Sequence, residues 1–106
     1  MELRNFLSTD GRDFFDEWFS ELDPQAKTKV TAHLIRLKNG NLSNVKSVGE
    51  GVSERKIDWG PGYRIYFGRD GDILIILLAG GSKKTQPTDI TSARARWSEY
   101  KHRKRK

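Results

Sequence analysis

No cysteine occurs in this sequence, which excludes disulfides and thiolate chemistry and suits a reducing compartment. Histidine occurs only at positions 33 and 102. A zinc site built on His33 has no visible partner ligands, and no serine has a histidine near it in sequence to make a hydrolase triad. His33 reads as a surface residue of a helix and His102 as part of a charged tail. Long apolar runs are also missing. The longest, ILIILLA from Ile73 to Ala79, is far too short to span a bilayer, and MELRNFLSTDGRDFF at the N-terminus contains no stretch of signal-peptide length. The expectation is a soluble, cytoplasmic protein without membrane contact. A Walker loop, a GxGxxG turn opening a helix and an HExxH pair are absent too, so no cofactor or metal is expected.

What the chain does contain is charge and aromatics. Its 106 residues carry a net charge of +6 and ten per cent aromatic side chains, a balance that folds as one domain rather than remaining disordered. The excess charge is not spread evenly. Lys101-His102-Arg103-Lys104-Arg105-Lys106 holds five cations, which leaves residues 1–100 at only +1. The organisation implied is a domain over 1–100 and a basic tail over 101–106. Such a tail is either a solubilising terminus or a polyanion contact working through phosphate neutralisation.

Along the chain, residues 2–7 suggest a short opening strand. Thr9 or Asp10 then offers an N-cap for a helix whose Phe14, Phe15, Trp18 and Leu22 form one stripe. Asp23-Pro24 opens a second helix with Ala26, Val30, Leu34 and Leu37 on one side, ending at Asn39-Gly40. Residues 41–50 are polar and without a period. Strands follow at Val52–Ile57, at Tyr63–Phe67 and at Ile73–Ala79, the last apolar on both faces and therefore covered on each side. Asp70-Gly71 joins the last two by a tight turn. A third helix is expected from about Asp89 to Tyr100, with Ile90, Ala93, Trp97 and Tyr100 at core spacing. The fold class is α+β: an N-terminal strand, an α-hairpin, a three-stranded antiparallel meander whose one face the hairpin covers, and a C-terminal helix.

One basic constellation stands out. In GPGYRIYFG, Ile65 and Phe67 share a face toward the helices, which turns Arg64 and Tyr66 the other way. Glu54 and Lys56 lie together on the preceding strand, and the loop after the double glycine adds Lys83, Lys84 and Gln86. Either Arg64 decorates a wet sheet face, or it is held for something anionic, since a guanidinium fork binds two phosphate oxygens at once.

The combination of GVSERKIDWGPGYRIYFGRDG with ILLAGGSKKTQPTDITSARARW resembles the RelE/ParE superfamily of type II toxins, in its addiction-module killer branch (HigB-like, phage Gp49-like). FDEWFSELDPQAKTKV and RLKNGNLSNVKSVGEGV match that branch in order and spacing, so the likeness covers nearly all of residues 1–100. The resemblance implies a ribosome-dependent, metal-independent endoribonuclease that cuts messenger RNA and so inhibits translation. In such enzymes the RNA 2′-hydroxyl attacks the adjacent phosphate. By the same resemblance Arg64 stabilises phosphate charge, Lys56 and Lys83 flank it, and Glu54 is a general base or a salt-bridge partner. Lys84, Tyr66, Gln86 and the tail residues Lys101, Arg103, Lys104 and Arg105 are its expected RNA contacts. Toxicity should be lost in Arg64→Ala and Lys83→Ala with the fold intact. The partners implied are a small helix-turn-helix antitoxin, the ribosome and its message, with DNA met only through the antitoxin. The alternative is a ParE-like inhibitor of DNA gyrase that cuts nothing, which the same fold would serve. This sequence departs from the RelE pattern in offering no equivalent of the catalytic tyrosine near its C-terminus, and in Arg55, where relatives are apolar.

Overall fold

A computed structural model describes residues 1–105. It contains β1 (Glu2–Asn5), α1 (Phe14–Ser20), α2 (Pro24–Lys38), β2 (Val45–Ser47), β3 (Val52–Lys56), β4 (Arg64–Asp70), β5 (Leu74–Gly81), a single 3₁₀ turn (Lys83–Thr85) and α3 (Gln86–Lys104). The strands form one mixed five-stranded sheet in the order β1-β5-β4-β3-β2. The expected meander is its core. β1 adds to it in parallel beside β5, and β2 adds antiparallel to β3. The apolar run of β5 follows from that position, since β5 has a strand on either side and helices above and below.

Two apolar layers sandwich the sheet. On one face Ile65, Phe67, Ile75 and Leu77 meet Phe15 of α1 and Val30 and Leu37 of α2. On the other Val52, Tyr66, Ile76 and Leu78 meet Ala93 and Trp97 of α3. The face opposite the hairpin is therefore roofed by α3 over much of its length. Glycines make this close approach feasible. A Cβ on Gly68 would collide with the Trp97 ring, and one on Gly80 with the Trp18 ring. Between Tyr66↔Ala79 and Phe67↔Leu77 the ladder skips Leu78, a bulge. Arg96 Nη1 donates to the Leu78 carbonyl at 2.9 Å, while the guanidinium lies 3.8 Å from the centroid of Phe14. One side chain thus fastens α3 to the bulge and to α1.

Several boundaries differ from the sequence reading for local reasons. α1 is capped by Asp13, whose carboxylate accepts from the Asp16 amide at 2.9 Å. Residues 8–12 are instead tied into a turn by Ser8 and Arg12. α3 starts three residues earlier than expected, with Pro87 in its first turn, and continues through Lys104. The basic segment thus extends the helix as far as Lys104. Lys106 lies outside the described residues. The polar stretch 41–50 holds β2, whose Lys46 stands opposite Glu54.

Candidate functional site

The GPGY turn delivers Arg64 with little freedom. Gly62 takes φ +74°, a conformation costly for any residue with a Cβ. Tyr63 is wedged between Trp18 and Trp59, with ring centroids 5.8 and 6.2 Å away. The next residue, Arg64, folds back so that Nη1 donates to the Gly62 carbonyl at 2.7 Å. Only 6% of Arg64 is exposed. Its Nε, closed to solvent, sits 3.3 Å from Glu54 Oε1 without hydrogen-bond alignment.

Glu54 is the centre of the cluster and only 1% exposed. Its Oε1 accepts from Gln86 Nε2 at 2.7 Å, which pins the start of α3 to β3. Its Oε2 faces the Lys46 ammonium at 3.6 Å. Tyr66 stands across the strand pair from Glu54, and Lys56 directly across from Arg64. The Tyr66 hydroxyl is sealed from solvent beside the Glu54 carboxylate, without an aligned hydrogen bond. Burial, and then the Glu54 charge, push its pKa above the ordinary phenol value, so it is a neutral O–H throughout the physiological range. Asn44, Val45, Lys46, Glu54, Lys56 and Arg64 line a concavity of about 290 Å³ over this cluster. Lys83 begins the 3₁₀ turn with its Cβ next to Gly62, and its side chain is exposed. Lys84 is exposed beside it.

Of the residues picked from sequence, the fold gathers Arg64, Glu54, Lys56, Gln86 and Lys83 into one place. Tyr66 is a correction. It is fully buried beneath α3, because its strand face is the second apolar layer, so it cannot touch RNA from the surface. Gln86 is spent on Glu54. Lys101, Arg103, Lys104 and Arg105 belong elsewhere. α3 is 19 residues long, and at about 1.5 Å per residue its two ends lie about 27 Å apart. Tyr100 is a packing residue, stacked on Trp97 at 5.2 Å and donating to Asp70 at 2.6 Å. Burial and that bond raise its pKa to about 12.

Lys46 went unrecognised in the sequence. Its signal was present but faint: an opposite charge that falls across from Glu54 once β2 pairs with β3. His33 is a second correction, since it is nearly buried and Nδ1 accepts from Arg55 Nε at 2.9 Å. Arg55, also buried, spends its Nη1 on the Asn41 carbonyl at 2.7 Å. Burial first, then Arg55 and Arg36, hold the imidazole pKa below its usual value. This pair lies on the α2 side of the sheet, away from Arg64. Among the described residues no three of His, Asp and Glu stand together as metal ligands. No helix there is long and apolar enough to cross a membrane.

Two comparisons bear on identity. Residues 17–98 match the family model described as "Phage derived protein Gp49-like (DUF891)". A protein of Haemophilus influenzae (strain ATCC 51907 / DSM 11121 / KW20 / Rd), described as an uncharacterized protein, is 46% identical over 81 residues. That match covers 76% of this chain and 82% of the relative.

Proposed function

We propose, from the premise that this chain belongs to the Gp49-like family of phage-derived proteins, a toxin-like and RelE-related group, that it is the toxin of a type II toxin–antitoxin module and cleaves messenger RNA on the translating ribosome. The observation that carries this reading is Arg64: nine-tenths buried, braced by the Gly62 carbonyl and by Glu54, and flanked by lysines around a concavity. A guanidinium used only for solubility has no reason to be held so rigidly, at the expense of desolvation.

Binding places the scissile phosphate against the outward edge of Arg64, with Lys56 and Lys83 supplying further positive charge. The RNA 2′-oxygen attacks phosphorus and the P–O5′ bond breaks, giving a 2′,3′-cyclic phosphate and a 5′-hydroxyl. Negative charge grows on the non-bridging oxygens during attack, and a preorganised cation aimed at them lowers the barrier. Glu54 acts on Arg64 rather than on RNA, because its side chain is only 1% exposed and Oε1 is taken by Gln86 and the guanidinium. Lys56, set opposite Arg64 with a side chain 53% exposed and its ammonium 3.3 Å from Asp58, is placed to give a proton to the departing O5′, while the 2′-hydroxyl proton passes to solvent. The antitoxin is a DNA-binding partner that would cover the cleft or grip the α-hairpin.

Purified protein added to a cell-free translation reaction and, separately, to a gyrase supercoiling reaction tests the proposal. Protein synthesis should stop while supercoiling continues at micromolar protein. Arrested supercoiling with undisturbed translation would replace the ribonuclease by a gyrase inhibitor.

A further inference from the structure

The cations at the far end of α3 divide into two sets. Arg103 and Lys104 are stitches: Arg103 donates to the Leu7 carbonyl at 2.8 Å and pairs with Glu99, and Lys104 pairs with Asp70. Arg69, Lys101 and Arg105 make no ion pair or side-chain hydrogen bond among the described residues. All three are exposed, and all three line one concavity of about 370 Å³. Its wall is the stacked pair Trp97 and Tyr100, with the Lys101 ammonium 5.8 Å from the Trp97 centroid. The carboxylate lining it, Asp70, is already engaged by Lys104 and by the Tyr100 hydroxyl.

Cations in the last turns of a helix have an ordinary explanation, since they complement the negative end of its dipole. That accounts for Lys101 and Arg105. It does not account for Arg69, which comes from the end of β4 and faces the same hollow. Three converging like charges repel one another until an anion sits among them.

We infer that this concavity is a second phosphate-binding site, taking the backbone of RNA about 17 Å from the Arg64 cleft, the span of the five strand residues from Arg64 to Arg69 on β4. At that separation the same phosphate cannot occupy both, so β4, with α3 packed on it, is a rigid spacer between the place where RNA is gripped and the place where it reacts. A chain of phosphates suits the hollow better than a sheet of anionic headgroups. The site is concave, and Asp72 on the adjoining turn is exposed where a flat anionic surface would press. The choice of RNA as the polyanion rests on the function proposed above; the site itself does not depend on cleavage.

The test is binding of the full chain to a short fluorescent RNA duplex, with Kd measured against salt. Arg69→Ala/Lys101→Ala/Arg105→Ala should weaken binding about tenfold or more at moderate salt and flatten the slope of log K against log salt by about 2 to 3, near 0.9 per lost phosphate contact. Lys27→Ala/Lys29→Ala/Lys38→Ala on α2 removes the same charge and should leave the slope within about 1 of wild type. Equal losses in both triple variants would mean net charge and no site. An unchanged Kd and slope in the first triple would overturn the inference, as would retention by vesicles of anionic lipid with no RNA binding. Cleavage is not read in this assay, so a protein that binds duplex through these residues yet cuts no message would sink the ribonuclease and keep the site.

Discussion

Arg64→Ala should destabilise the protein severely, through Glu54. The substitution deletes the 2.7 Å bond to the Gly62 carbonyl and the 3.3 Å contact with Glu54 Oε1. It leaves a carboxylate that is 1% exposed with Gln86 as its hydrogen-bond donor and Lys46 at 3.6 Å. Breaking a buried pair from one side costs about 3–5 kcal/mol, and the surviving donors place this case near the lower end. For a domain of this size each kcal/mol moves Tm by about 4–8 °C, so a fall of about 15 °C is expected. Arg64→Ala/Glu54→Gln removes the stranded charge and keeps the shape, and should recover about half of the loss. Thermal and urea unfolding followed by circular dichroism at neutral pH read both numbers. A single variant within about 0.5 kcal/mol of wild type, or a double variant no more stable than the single, would refute the claim that Glu54 depends on Arg64. The burial also means that Arg64→Ala alone is a poor functional probe, because lost activity and lost fold would arrive together.

Lys83→Ala touches an exposed side chain on the 3₁₀ turn, so activity should fall tenfold or more while unfolding stays within about 0.5 kcal/mol of wild type; unchanged toxicity in cells would remove Lys83 from the site. Stability should decline as pH drops below about 6.5, because the folded His33 pKa lies under that ordinary imidazole value and the unfolded chain takes the proton first. The contribution is complete above that pH and is lost as pH falls through the folded pKa; urea midpoints between pH 7.5 and 5 should show it, and His33→Gln should flatten them. Gly68→Ala puts a methyl group into the Trp97 ring and should cost about 1–3 kcal/mol by forcing α3 outward, which a normal Tm would contradict.

The sequence was most informative where one interaction decided the local structure. Asp23-Pro24 fixed the start of α2, the Ile65/Phe67 alternation gave the strand faces, and the run at Ile73–Ala79 showed a strand covered on both sides. It was least informative where a partner far along the chain decides. β2 is three residues of ordinary polarity that become a strand only by pairing with β3. His33 reads as a surface group and Arg55 as a departure from an apolar position, yet both are buried, where Arg55 Nε donates to His33 Nδ1. The cluster at Arg64, Glu54, Lys56, Lys83 and Gln86 was visible because strand alternation and a short loop suffice to gather it. That Tyr66 would lie under a helix was not visible, since α3 approaches from 20 to 30 residues away and its fit depends on Gly68 lacking a side chain.

The most direct test of the central claim is to map message 5′ ends by primer extension in a cell-free translation reaction. It would be run with wild type, with Arg64→Ala/Glu54→Gln as the inactive variant that retains more of the fold, and with a control lacking ribosomes. New ends bearing 5′-hydroxyls that appear only with wild type and only with ribosomes are the result expected. Intact message with wild type, or the same ends from the double variant, would contradict the assignment of this cleft to RNA cleavage.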